Sequence, residues 1–139
     1  ITGDILDSLK CDCGSQLKKS IEMMSNDGGL LLYMPEEGRN IGLLNKLRAY
    51  EFQFHNIDTI DANYALGFDA DQRRHENACE LLKLLGVNSI KLITNNPEKI
   101  SQVQKSGINV IETVQIKVKV PAEAKKYLET KKIRSGHNL

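Results

Sequence analysis

The chain has 139 residues, 40% of them hydrophobic and 27% charged, a balance that suits one globular domain with its own core and excludes a disordered segment. Its net charge of +1 gives no broad basic field for nucleic acid, so any anion must be held by local groups. No apolar run approaches the ~18 residues needed to cross a bilayer, and three cysteines without framework spacing point to a reducing, cytoplasmic setting and to metal or thiol chemistry rather than disulfides.

The first residue is Ile1, so the chain reads as an N-terminally incomplete single domain, residues 1–139. The stretch LKCDCGSQL (9–17) places Cys11 and Cys13 one residue apart, just before a glycine. Two thiolates at that spacing converge on one ion when the backbone between them turns outward, which Asp12 and Gly14 permit. A catalytic zinc takes about three protein ligands and an open position for water; the visible chain supplies two obvious ones.

Residues 14–24 have Leu17, Ile21 and Met24 at helical spacing, and Asp27, Gly28 and Gly29 end that run. Residues 30–33, LLLY, read as a buried strand. Residues 35–40, PEEGRN, read as a turn. Residues 41–52 follow as a helix with Ile41, Leu43, Leu44, Leu47 and Tyr50 on an apolar stripe. Residues 57–68 are ambiguous, read as a short strand and then a helical turn. Residues 71–85 read as a helix with Ala78, Leu81, Leu82 and Leu85 on one face and Gly86 at its end. Residues 89–93 are a strand, and TNNPEK (94–99) opens a helix that ends near Gly107. Residues 108–114 are a strand again, 121–131 a helix, and 133–139 a loose tail. Strands alternating with helices give an α/β fold, expected as a layered α/β/α domain with a mixed sheet.

Three stretches have the residue types for anion or proton chemistry. In 94–99, Asn95 or Asn96 caps, Pro97 takes the first helical position, and Lys99 lies one turn in. That is either an anion site at free N–H groups or an ordinary strand-to-helix connection. In 36–46, Gly38 lets backbone approach a ligand, Arg39 suits a phosphate, and Glu37 suits a base or an amine. The stretch lacks the Gly-Lys-Ser/Thr ending of a phosphate loop, and the plain alternative is a surface turn. In 69–75, Asp71 and Arg73 suit a proton acceptor and a phosphate partner, or simply an acidic helix start. Cys79 lies among apolar helix positions and reads as core rather than as a third ligand. His55, His75 and His137 each stand alone, and Tyr50 and Tyr64 read as half-buried aromatics.

Taken in order, TGD (2–4), SLKCDCGSQL (8–17), EEGRNIGLLNKLRAY (36–50), DTIDANYALGFDAD (58–71) with Arg73, LLGV (84–87), TNNPEK (94–99) and YLETKKIRSGH (127–137) resemble GTP cyclohydrolase II, the zinc enzyme that opens riboflavin biosynthesis. The resemblance implies a zinc ion held by three cysteines. Cys11 and Cys13 match two of them, and the third is expected immediately before Ile1. It implies that Gln16, Glu37, Gly38, Arg39, Thr59, Thr94 and Lys99 bind GTP, with magnesium on the triphosphate. It implies Asp71 as proton acceptor, Arg73 as nucleophile towards the α-phosphorus, and Tyr50 near the reacting centre. A guanidinium stays protonated, so a clamp on phosphate is the other role open to Arg73. The implied products are formate, diphosphate and a diaminopyrimidinone bearing a phosphoribosylamino group. The implied assembly is a homodimer, with no nucleic-acid or membrane partner.

The chain also departs from the family pattern. Met34 and Pro35 stand where relatives often have arginine followed by glutamine, Lys10 where arginine is usual, and Arg74 where an acid is common. Two other readings stay open: a non-catalytic nucleotide-binding zinc module, and the C-terminal half of a bifunctional riboflavin enzyme.

Overall fold

The computed structural model describes residues 1–55, 57–119 and 122–136. The chain forms two compact units. One joins Ile1–Thr2 to Met34–Arg73, and the other joins Gly3–Tyr33 to Arg74–Leu139.

The first unit is built on α2 (Gly42–Phe54) and α3 (Thr59–Ala65), with α1 (Cys13–Asp27) belonging to the other unit. Ile41, Ala49, Ile60 and Ala62 are buried here. The small alanines let the two helices approach closely. Asp58 caps α3, its carboxylate accepting from the N–H groups of Ile60 at 2.8 Å and Asp61 at 3.0 Å. Within 57–68 the residues Thr59–Ala65 are helical, with no strand there among the described residues. The stripe expected on α2 is only partly buried: Ile41 is inside, Tyr50 is half-buried, and Leu43, Leu44 and Leu47 are exposed. Tyr64 is exposed as well, where a half-buried aromatic was expected.

The second unit holds α1, α4 (Glu76–Leu84), β1 (Ser89–Ile93), α5 (Pro97–Lys105), β2 (Asn109–Val114), a short 3-10 helix (Ala122–Ala124) and α6 (Lys125–Ser135). The strands β1 and β2 run parallel, Ser89 opposite Asn109 and Ile93 opposite Val114. A register shift between Ile90 and Lys91 leaves Ile111 as the extra residue of a bulge. The helix α5 is the crossover between them, as parallel pairing demands. Cys79 and Leu82 of α4, Val103 of α5 and Ile108 form the core, with Leu32, Val87, Ile90, Leu92 and Val110 packed against it. Asn96 caps α5 by accepting from Glu98 N–H at 2.9 Å, and Pro97 takes the first turn, as the sequence indicates.

The α/β class holds, on a described sheet of two parallel strands. Three element assignments need correction. Residues 30–33 form no strand, and Leu30, Leu31 and Tyr33 are exposed; only Leu32 reaches the core. A strand exists only through a ladder with a partner strand, which an apolar composition does not by itself supply. The helix expected from residue 71 begins at Glu76. Asp71 turns back to accept the N–H of Arg73 at 3.1 Å, a local side-chain turn that competes with helix. Its buried residues are Cys79 and Leu82, while Leu81 and Leu85 are exposed. Finally, α6 runs through Ser135, so Ile133, Arg134 and Ser135 are helical rather than loose. The expectations for Pro121 and His137 fall outside the described residues. No helix among the described residues is long and apolar enough to cross a membrane.

Candidate active site

The candidate residues fall into a cluster in each unit. In the second unit, Cys11 is buried and Cys13 half-buried, and neither is in a disulfide. Gly3 sits against both. A Cβ there would lie 2.5 Å from the Cys11 sulfur and 3.5 Å from the Cys13 sulfur. The two sulfurs thus border one small space that only a glycine leaves open. Gly14 repeats the device: a Cβ there would meet the Gly3 carbonyl oxygen at 2.6 Å. This donor pair suits a metal that prefers soft sulfur ligands. No group of three or more His, Cys, Asp or Glu placed to hold an ion occurs among the described residues, so a zinc site would draw two donors from here and at least one from elsewhere. Cys79 belongs to the core.

Between the thiols, Asp12 is buried at the start of α1, its carboxylate next to the positive end of the helix. It accepts the side-chain amide of Gln16 at 2.5 Å. That bond orients the Gln16 amide, with nitrogen towards Asp12 and the oxygen left as the end that can accept. The sequence marks Asp12 only as a residue that lets the backbone turn between the two cysteines; its bond to Gln16 has no local signal.

Also in this unit, Thr94 is buried where β1 ends. Its N–H donates to the Val114 carbonyl at 3.0 Å and its hydroxyl accepts from Asn96 N–H at 3.1 Å. Asn95 joins the chain beyond β2, accepting from Ile116 N–H at 3.0 Å and donating to its carbonyl at 2.7 Å. Lys99 is half-buried in the first turn of α5. Asparagine pairing and capping thus hold the strand-to-helix connection from both sides.

In the first unit, the turn 37–40 is unusual. Gly38, Arg39 and Asn40 all have positive φ, at 62°, 57° and 73°. Left-handed residues ordinarily occur singly, and each non-glycine one costs about 1 kcal/mol. The surroundings hold the turn in place: the Arg39 guanidinium donates to the Ala70 carbonyl at 3.0 Å, and the Arg39 carbonyl accepts from Gln72 N–H at 3.1 Å. The turn 37–40 is thereby tied to the stretch bearing Asp71 and Arg73. Arg73 folds onto Asp71, Nε to Oδ1 at 2.9 Å and to Oδ2 at 3.2 Å, with Nη2 also on Oδ2. Burial pushes the Asp71 carboxyl up, but the hydrogen bonds and charge of Arg73, helped by the charge of Arg39, outweigh it and hold it below its ordinary value.

Glu37 lies under the turn. Its Oε1 is 2.6 Å from the ammonium of Lys46, and its Oε2 accepts from Thr2 N–H at 2.8 Å. Burial alone would raise the Glu37 carboxyl. Bonds from Lys46, Thr2 and the Ile1 amino group, with the Lys46 charge, overcome this and lower it to about 2. Lys46 Nζ also lies 5.8 Å from the centre of the Tyr50 ring. Lys46 was missed in the sequence, because a lysine nine positions after a glutamate has no local signature. Thr59 is the first residue of α3.

The sequence profile of the GTP cyclohydrolase II family matches residues 1–115. The whole chain is 50% identical over 140 aligned residues to GTP cyclohydrolase-2 of Haemophilus influenzae strain PittEE, covering 65% of that protein. It is 49% identical over 138 residues to GTP cyclohydrolase-2 of Pasteurella multocida strain Pm70, covering 99% of this chain and 63% of the relative. It is 44% identical over 137 residues to the riboflavin biosynthesis protein RibBA of Staphylococcus saprophyticus, covering 99% of this chain and 35% of that protein. The chain therefore belongs to the GTP cyclohydrolase II family. It spans about 65% of the length of the GTP cyclohydrolase-2 relatives from Haemophilus.

Proposed function

We propose that this chain is the catalytic domain, with a layered α/β/α frame and a mixed sheet, of an enzyme that hydrolyses GTP. The guanine imidazole ring is opened at C8, formate and diphosphate are released, and a diaminopyrimidinone bearing a phosphoribosylamino group is formed, at the head of riboflavin biosynthesis. The observation that carries the reading is identity of 50% over the whole chain to a GTP cyclohydrolase-2. The thiol pair beside Gly3 and the paired Asp71 and Arg73 agree with it.

Cys11 and Cys13 would hold zinc with a third donor. Zinc bound in this way supplies a water acidic enough, with a pKa near ~7, to serve as hydroxide at neutral pH. Gln16, oriented by Asp12, presents its amide oxygen to ring N–H or amino donors of guanine. By the resemblance, Glu37, Gly38, Arg39 and Thr59 of the first unit would bind GTP, as would Thr94 and Lys99 of the second, with magnesium on the triphosphate. The resemblance gives Tyr50 a catalytic part.

Asp71 and Arg73 work as a pair. A carboxylate held below its ordinary pKa cannot take a proton from a guanidinium, whose own pKa is above ~12. That argues for Arg73 as the clamp on phosphate rather than the nucleophile. When phosphate draws the guanidinium away, Asp71 loses the partner that kept it weakly basic, and it becomes the better proton acceptor. The enzyme would work in the cytoplasm as a homodimer.

The test is formate released from GTP by the full-length protein supplied with zinc and magnesium. Formate matching GTP consumed supports the reading. GTP bound by zinc-loaded protein without formate returns the chain to a binding module. A second reading, one half of a longer two-enzyme protein, is favoured by the match covering 35% of RibBA; the mass of the natural product decides it.

A further inference from the structure

The connection from β1 to α5 carries Thr94 and Lys99, and one side chain ties it to a distant part of the chain. The parallel ladder closes at Ile93 and Val114, and Thr94 N–H adds a last backbone bond to the Val114 carbonyl at 3.0 Å. There the two chains part, because α5 starts at Pro97. The Asn95 side chain then takes the place of a peptide group. Its Oδ1 accepts from Ile116 N–H at 3.0 Å, and its Nδ2 donates to the Ile116 carbonyl at 2.7 Å. A side-chain amide has a donor and an acceptor, as a peptide has, so it adds a rung where the backbone has turned away. Ile116 is 5% exposed, so loss of Asn95 strips partners from the backbone of a buried residue.

The same connection narrows which groups can meet a ligand. Asn96 accepts the N–H groups of Glu98 at 2.9 Å and Lys99 at 3.4 Å, so two donors of the first turn of α5 are already occupied. Thr94 is buried, and its hydroxyl accepts from Asn96 N–H at 3.1 Å. That bond uses a lone pair and leaves the hydroxyl its proton to donate. Recognition here falls to side chains, the Thr94 hydroxyl and the Lys99 ammonium, whose spacing is set by the backbone between them.

We propose that Asn95 is a positioning residue of the nucleotide site: by pairing with Ile116 it fixes where Thr94 and Lys99 stand, and it acts on GTP through them. This assignment rests on the GTP cyclohydrolase reading above.

The experiment uses the full-length, zinc-loaded protein and compares the wild type with Asn95→Ala, Ile116→Pro and Val103→Ala. Ile116→Pro removes the N–H that Asn95 accepts while leaving Asn95 in place. Val103→Ala loosens α5 from the core at a point away from the site. Measured are kcat and KM for formate release, the melting temperature, and its rise on adding GTP, which reads binding without turnover. Asn95→Ala and Ile116→Pro are each expected to raise KM about 10- to 100-fold with kcat within about three-fold, and to shrink the rise with GTP. Val103→Ala is expected to melt lower and to keep the wild-type KM. An unchanged KM in Asn95→Ala overturns the proposal. So does a KM raised as much by Val103→Ala, which reduces the effect to general stability. A KM raised by Asn95→Ala but not by a folded Ile116→Pro also overturns it and makes Asn95 a substrate ligand. Should Ile116→Pro fail to fold, hydrogen exchange decides. The Ile116 amide is expected to be protected in the wild type and to exchange at least ~10-fold faster in Asn95→Ala, and equal rates overturn the pairing. A wild type that is stabilised by GTP but makes no formate overturns the enzymatic reading alone, and the rise with GTP in the variants then decides the positioning role.

Discussion

The guanidinium of Arg73 lies folded against the carboxylate of Asp71, two residues before it, with Nε 2.9 Å from Oδ1. The contact is fork to fork, the geometry that a guanidinium also offers to phosphate. Asp71 therefore stands in the place that a phosphoryl group would compete for. Replacing Arg73 by lysine keeps the charge and loses the fork. Arg73→Lys is expected to lower formate and diphosphate release together by about 100- to 1,000-fold, the range for loss of a positioned transition-state donor. Diphosphate released near the normal rate would remove both the clamp and the nucleophile role.

The three thiols separate by environment. Cys11→Ser or Cys13→Ser should abolish stoichiometric zinc in the full-length protein, as measured by metal analysis. Cys79→Ser should leave zinc content intact. It instead buries a hydroxyl among Leu82, Val103 and Ile108, at a cost on the order of 1–3 kcal/mol in thermal or urea unfolding. Zinc lost from the Cys79 variant with its stability unchanged would reverse the assignment.

Gly3 admits no side chain. In Gly3→Ala the new methyl would press on the Cys11 sulfur from 2.5 Å and on the Cys13 Cβ from 2.9 Å, so the surroundings of the thiol pair must shift. Zinc affinity is expected to fall about 10- to 100-fold, the scale seen when a ligand's support is altered. Competition with a chromogenic chelator reads this directly.

Acid should destabilise the first unit through its two lowered carboxyls, which give up their contribution only as pH falls below the ordinary carboxylate range. Glu37 is lowered from 4.5 to about 2, and Asp71 is also lowered. A carboxyl more acidic when folded than when unfolded stabilises fully above its unfolded pKa and loses that contribution as pH falls through the folded one. Melting temperature should therefore drop between about pH 5 and pH 2, and Glu37→Gln should flatten the slope. An unchanged slope would mean that the ion pair with Lys46 does not form in solution.

The cap of α5 gives a purely structural control. Asn96→Ala removes the acceptor for Glu98 and Lys99 N–H and should cost about 1 kcal/mol. The effect should appear in unfolding and in hydrogen exchange of the α5 amides, with zinc content untouched.

What the sequence revealed depended on how local each signal was. Asn96 and Pro97 write the start of α5 within three residues, and Cys11 and Cys13 announce themselves by spacing. Leu30, Leu31 and Tyr33 look like a strand because they are apolar, but strand status belongs to partners far along the chain. The start of α4 was misplaced because Asp71 can either open a helix or bend back on Arg73, and composition does not choose between them. Lys46 and Thr2 were hidden for the same reason. Their meeting at Glu37 spans 9 and 35 positions, beyond any local periodicity. Asp12 was visible but was read as a spacer between thiols, not as the group that orients Gln16.

The run of positive φ at Gly38, Arg39 and Asn40 also bears on how this turn can evolve. Such a backbone filters substitutions by conformation before chemistry is tested. A library randomised over the turn and selected only for folded protein should return glycine, asparagine and aspartate at 38 and 40 and reject valine, isoleucine and threonine. Variation would then have to arise at neighbouring positions, such as Met34 and Pro35. The turn would act as a fixed hinge point in the family's sequence space, with adaptation taking place on either side of it.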